Sequence, residues 1–191
     1  MIKLINLLNE ITEGKQVGDV YKNSSELSKI GTEEEYSDYL NTIFPNSKVK
    51  EIVYHSTNAK EIEGDKLRPS KEGVYGEGIY VQTKQEFGSS FGSNTLSIVI
   101  DTKKPFPFYE SNNEPTKLWL TIRDKHALTK KFYWADTAKE EFRDNIIKMG
   151  YDSIMTEEGG NNKYYILFKP EQTHILGSKQ DIEDFKKWKQ N

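Results

Sequence analysis

A chain of 191 residues with a formal net charge of −3 and no cysteine holds one substantial domain with a small extension. It excludes disulfide stapling, thiolate chemistry and the broadly cationic surface of a general nucleic-acid binder. The absence of cysteine suits a reducing cytoplasm and no apolar run is long enough to span a bilayer, so a soluble cytoplasmic protein without membrane association is expected.

In chain order, residues 1–48 read as a helical N-terminal extension and 49–191 as the main domain. The opening MIKLINLLNEI carries Leu4, Leu7, Leu8 and Ile11 at helical spacing and predicts a docking helix. The next stretch, GKQVGDVYKNSSELSKIG, has no strong period and reads as loop or a loosely attached arm. Thr32 and Glu35 then form a capping-box pattern ahead of a helix whose Tyr36, Tyr39, Leu40 and Ile43 share a face. From about Lys50 the texture changes: EIVYH, GIYVQ, TLSIVI and KYYILF are rich in strand formers. Lys66, Arg68 and Lys71 between the first two read as a solvated loop.

Between the strands, 84–91 predicts a short helix, and 115–131 a helix whose LWLTI core equally fits a strand. Residues 138–149 are clearer: Thr137 and Glu140 cap, Ala138, Phe142 and Ile146 make a buried stripe, and Gly150 stops the helix. A last helix, 179–189, follows Ser178 with Ile182, Phe185 and Trp188 on one side. Strands and helices without regular alternation predict an α+β fold rather than a doubly wound sheet.

Several common sites are missing. Gly76-Glu77-Gly78-Ile79-Tyr80-Val81 ends in valine where a dinucleotide fingerprint needs its third glycine, and GIYV is itself strand-like. His55, His126 and His174 are too far apart in sequence for a metal-ligand motif, so no metal is expected. No Gly-x-Ser-x-Gly elbow occurs.

Three stretches remain to be taken together: VYHST at 53–57, GEGIYVQTKQEFGSSFG at 76–92 and KYYILFKPEQ at 163–172. Taken singly, His55 fits a hydrogen-bonded surface histidine and Tyr80 a core residue. Their joint order resembles ADP-ribosyltransferases of the diphtheria-toxin and poly-ADP-ribose-polymerase type, with signature His, Tyr and Glu on three strands. Tyr54-His55-Ser56-Thr57, Gly76 to Val81, Phe91-Gly92 and Phe168-Lys169-Pro170-Glu171-Gln172 are most similar to the phage-associated polyvalent-protein branch.

That resemblance, over residues 49–176, implies a split β-sandwich of two small, mostly antiparallel sheets with flanking helices, 107–149 forming an insert. It implies NAD as substrate and a macromolecular acceptor, protein or nucleic acid. It also implies mono-ADP-ribosyl transfer after cleavage of the nicotinamide–ribose bond, and a phage-encoded, host-modifying role. His55 takes the role of binding the adenosine ribose and Ser56 that of holding the carboxamide through its backbone, next to Thr57. Tyr80 and Phe91 become the two faces of a nicotinamide clamp. Two facing rings suit a flat cation, by stacking and cation–π attraction. Gly78 permits close backbone approach, and Ser89 offers a hydroxyl either to the carboxamide or to solvent.

The pattern breaks at one place. The family's glutamate falls on Tyr164, a residue that can hydrogen-bond a ribose but carries no charge at neutral pH. Either Glu157 or Glu158, read as loop before the strand, supplies the carboxylate, or the acceptor does, or the domain binds NAD or ADP-ribose without turnover. NAD glycohydrolysis with water as acceptor is a further option. Gln172 is expected to cap a turn, His174 to lie on the surface, and the aromatics Trp119, Phe132, Tyr133 and Trp134 of the insert to form local core rather than fold over the cleft.

Overall fold

The computed structural model describes residues 14–59, 62, 66–71, 73–108, 114–125, 136–158 and 161–191. Its helices are α1 (Gly14–Asn23), α2 (Leu27–Ile30), α3 (Glu33–Ile43), α4 (Glu114–Lys125), α5 (Asp136–Lys148) and α6 (Lys179–Gln190). Its strands are β1 (Val53–Thr57), β2 (Ile79–Gln82), β3 (Asn94–Ile100), β4 (Pro105–Pro107), β5 (Ser153–Glu158), β6 (Asn162–Leu167) and β7 (Thr173–Ile175). The α+β class is as expected.

The strands form one hydrogen-bonded sheet in the order β4-β5-β6-β2-β1-β3-β7. Among the described strands only the β4–β5 pair is parallel. The expected pair of separate sheets is therefore corrected to a single ladder, but a nearly divided one. β1 and β2 meet at one register pair, Tyr54 with Gln82, whereas β1 and β3 pair along the whole of β1. The halves β4-β5-β6-β2 and β1-β3-β7 fold towards each other about that junction. Val53, Ile98, Ile100 and Ile175 of one half share a buried cluster with Ile79, Val81, Tyr165 and Leu167 of the other. Period-2 alternation puts these residues on the inner faces, and each fully buried aliphatic chain contributes about 1.5–3 kcal/mol. The architecture is thus a sandwich split between β1 and β2.

Helices cover the outer faces. Phe106, Phe142, Ile146, Ile154 and Ile166 pack with Phe108 and Phe168 in one cluster, uniting α5 with the larger half-sheet. Trp119 from α4 joins it, 6.2 Å from Phe108 and 6.3 Å from Phe142 between ring centroids. This is the local core expected for Trp119, and LWLTI is helical. Phe132, Tyr133, Trp134 and His126 lie outside the described residues, as does the 1–11 helix expectation.

On the smaller half, Val17, Leu27, Tyr36, Tyr39 and Leu40 from the N-terminal helices share a core with Ile52, Val99, Leu176 and Phe185. The stretch taken as loop or loose arm is instead α1 and α2, because its scattered Val17 and Leu27 acquire a buried partner surface only from α6 and the sheet. Thr32 caps α3 in a full capping box, and Ser178 accepts from the Asp181 amide at the start of α6. His174 is not a surface residue. Its Nε2 lies 2.7 Å from Asp181 Oδ1, and Asp181 is wholly buried. The second oxygen of Asp181 accepts from the Tyr36 hydroxyl at 2.6 Å and the Gly177 amide at 2.7 Å. Sequence separation hid this cluster, which ties α3, β7 and α6 together.

Candidate functional site at the sheet split

A cleft of about 390 Å³ opens where β1 and β2 part, lined by His55, Tyr80, Phe91, Gly78 and Tyr164 among others. Five residues spread over more than a hundred positions are thereby brought together. A ladder continuing past Tyr54–Gln82 would pair Ser56 with Tyr80, but no such pair forms. The His55 side chain bridges the gap, with Nδ1 2.8 Å from the Tyr80 carbonyl oxygen. A carbonyl only accepts, so Nδ1 carries the hydrogen. Burial lowers the imidazole pKa, and the Tyr80 carbonyl offsets this only in part. The ring is therefore neutral at pH 7, and Nε2 keeps a lone pair that can accept from a ligand hydroxyl.

Tyr80 is fixed at its other end. Its hydroxyl accepts from the Tyr75 amide at 3.0 Å and donates to the Gly76 carbonyl at 2.7 Å. Burial raises its pKa, so it stays protonated. Gly73 has to be glycine here, since a Cβ there would lie 1.9 Å from the Tyr80 hydroxyl. The turn thus clasps the phenol and leaves the ring as cleft wall. Glu77, in the same turn, is held by Arg143 of α5, whose Nη1 is 3.2 Å from its Oε2. The other guanidinium nitrogen, Nη2, donates to the Phe168 carbonyl at 3.3 Å.

Phe91 stands at the end of the 3-10 turn Gln85–Ser90, is 64% exposed and lines the cleft. Gly92 lets this turn lie on β1, because a Cβ there would come within 2.3 Å of the Thr57 carbonyl carbon. Gly78 lines the cleft, yet a Cβ on it would meet Ile166 Cγ2 at 2.4 Å. Its missing side chain thus lets β2 pack on β6 at a position that also lines the cleft.

Ser56 and Thr57 stand off the cleft wall. Ser56 Oγ is 3.3 Å from Thr95 Oγ1 on β3, and Thr57 Oγ1 accepts from the Ala59 amide at 3.1 Å. Neither residue is among those that line the cleft. Ser89 lies in the 3-10 turn. Glu157 and Glu158 are not loop residues: they end β5, opposite Lys163 and Asn162 in the β5–β6 hairpin. Tyr164 pairs laterally with Gln82 on one side and Thr156 on the other, in the wall of the cleft.

Sequence reasoning missed other wall residues, including Arg68, Ser70, Val74, Tyr75 and Thr156. Arg68, which the sequence reads as solvated loop, follows buried Leu67 and stands on the cleft wall. Nothing in the sequence marked Thr156, which strand pairing alone brings to Tyr164. Among the described residues no carboxylate lines the cleft, and no group of acidic or histidine side chains could hold a metal ion. Nor, among them, is any helix long and apolar enough to cross a membrane. Gln172 caps its turn as expected: Oε1 accepts from the Phe168 and Lys169 amides, and Nε2 donates to the Asp101 and Asp152 carbonyls.

A sheet split at β1/β2, with His and Tyr flanking the split, defines an ADP-ribosyltransferase-like domain. The chain belongs to the family described as ADP-ribosyltransferase in polyvalent proteins, whose model matches residues 49–181. No curated protein matches the chain. A solved structure titled "Crystal structure of an anti-CRISPR protein" is similar at 17% identity with a TM-score of 0.39, covering 65% of this chain and 93% of its own.

Proposed function

We propose that the protein binds NAD in the cleft between β1 and β2, cleaves the nicotinamide–ribose bond and transfers ADP-ribose to a macromolecular acceptor. The observation that carries this is the His55–Tyr80 bridge across the sheet split, with an exposed Phe91 on the same cleft. Tyr80 and Phe91 are the rings that hold the nicotinamide cation, each contact contributing on the order of 1–2 kcal/mol once desolvated. His55 Nε2 accepts from a ribose hydroxyl. Ser56 contributes its backbone to the carboxamide, with Thr57 beside it.

Cleavage passes through an oxocarbenium-like state resembling that of glycoside hydrolysis. Nicotinamide leaves as a neutral molecule, so it needs no strong acid. The remaining task is to orient the dinucleotide and stabilise positive charge on the ribose. Tyr164 stands on the cleft wall for that task, with Glu158 at the end of the neighbouring strand. Label from NAD should enter host macromolecules when protein, NAD and lysate are mixed, and His55→Ala and Tyr80→Ala should each abolish it. Intact NAD and no labelled product would sink transfer.

The carboxylate-free described wall supports a second reading, a module that binds NAD or ADP-ribose without turnover. Calorimetric binding with no nicotinamide release would establish it, and release of free ADP-ribose alone would mark a glycohydrolase.

A further inference from the structure

One polar atom on this wall is unaccounted for. Thr156 is 1% exposed and lines the cleft, yet its Oγ1 has no hydrogen-bond partner. A buried hydroxyl left unpaired costs about 1–3 kcal/mol, and native structures rarely keep one without a reason. Its place is specific. Thr156 pairs laterally with Tyr164, which pairs with Gln82, which pairs with Tyr54 at the sheet junction. Laterally paired residues share a sheet face, so Thr156, Tyr164, Gln82 and Tyr54 form one row of polar side chains running up to the split.

We propose that Thr156 is a sugar-binding residue of this cleft, its hydroxyl pairing with a ribose hydroxyl of the dinucleotide beside Tyr164. The inference rests on the reading of the cleft as an NAD site and adds to it a residue and a chemistry. Threonine suits the task because a rotation about χ1 moves the hydroxyl to another staggered position and can carry the methyl into the place it leaves. Rotation turns the hydroxyl to the ligand and leaves the methyl in a spot that offers no polar partner, a gain at both ends. The row then recognises the sugar through neutral hydroxyl and amide groups where a carboxylate would both bind and carry charge.

The sign of the effect on stability separates this from a structural role. Thr156→Val removes the unpaired hydroxyl and keeps the shape, so its thermal midpoint should equal or exceed that of the unsubstituted protein. Its affinity for NAD, by calorimetry, should nevertheless fall about tenfold, the size of one lost hydrogen bond. Thr156→Ser should retain the affinity. An NAD analogue lacking the 2′-hydroxyl of the nicotinamide ribose should bind the unsubstituted protein and Thr156→Val equally. Undiminished NAD affinity in Thr156→Val overturns the proposal while leaving the NAD site standing. A lowered thermal midpoint overturns it as well, by showing that the hydroxyl is paired after all. If the unsubstituted protein binds neither NAD nor ADP-ribose, the reading of the cleft itself falls, and Thr156 with it.

Discussion

The His55 imidazole donates from Nδ1 to the Tyr80 carbonyl across 2.8 Å, at the point where β1 and β2 cease to pair. A side chain thus replaces the missing ladder bond, and its second nitrogen keeps a lone pair. With the folded pKa below 6.5, His55 contributes stability that is present above the unfolded value and lost as pH falls through the folded one. NAD affinity should follow the same sign. It should be flat above about pH 6.5 and decline below, because protonation removes the Nε2 lone pair. Calorimetric titration from about pH 5 to about pH 8 reads this directly. Affinity that rises on acidification would mean that His55 acts as a donor.

Tyr164 sits between Gln82 and Thr156 on the cleft wall, where the resemblance places a carboxylate. A negative charge there would stabilise an oxocarbenium-like ribose. Preorganised electrostatic groups of this kind are worth about 10²–10³ in rate. Tyr164→Glu should therefore speed nicotinamide release from NAD at least about tenfold, measured by separating free nicotinamide. No acceleration would show that the native wall already does this work or that the chemistry lies elsewhere.

Gln172 makes two accepting and two donating hydrogen bonds, joining the 168–172 turn to the carbonyls of Asp101 and Asp152. Gln172→Glu keeps the shape but sets a carboxylate oxygen against two carbonyl oxygens. The expected loss is about 2–4 kcal/mol at neutral pH by urea unfolding. Relative to the unsubstituted protein, part of it should return on acidification, since a protonated carboxyl regains one donor.

Asp181 is wholly buried and holds Tyr36, the Gly177 amide and His174 at once. Asp181→Ala leaves these partners unpaired in the interior and should cost about 3–5 kcal/mol. Tyr36→Phe removes one partner and should cost less, about 1–3 kcal/mol, because it too leaves an acceptor short of a donor. Equal, small effects in denaturant titration would show that the N-terminal helices are not anchored through this cluster.

Much of this was visible in the chain alone. Capping at Thr32 and Ser178, the stripe of Ala138, Phe142 and Ile146, and four strands all follow from patterns spanning a few residues. The ordered motifs around His55, Tyr80, Phe91 and Phe168 carried the resemblance to ADP-ribosyltransferases. β4, β5 and β7 were not seen. PFP and THI are too short to show a period, and SIMTEE runs from its strand straight into charged residues.

Sequence by itself determined the capped helices, the four strands rich in strand formers and the order of the aromatic and imidazole motifs, because these depend on local spacing and side-chain chemistry. Only the tertiary structure decided that two half-sheets join at Tyr54–Gln82, that a half-buried His174 pairs with buried Asp181, and that Thr156 stands beside Tyr164 with an unpaired hydroxyl. Those relations are set by strand pairing and packing between distant segments, which no local pattern encodes.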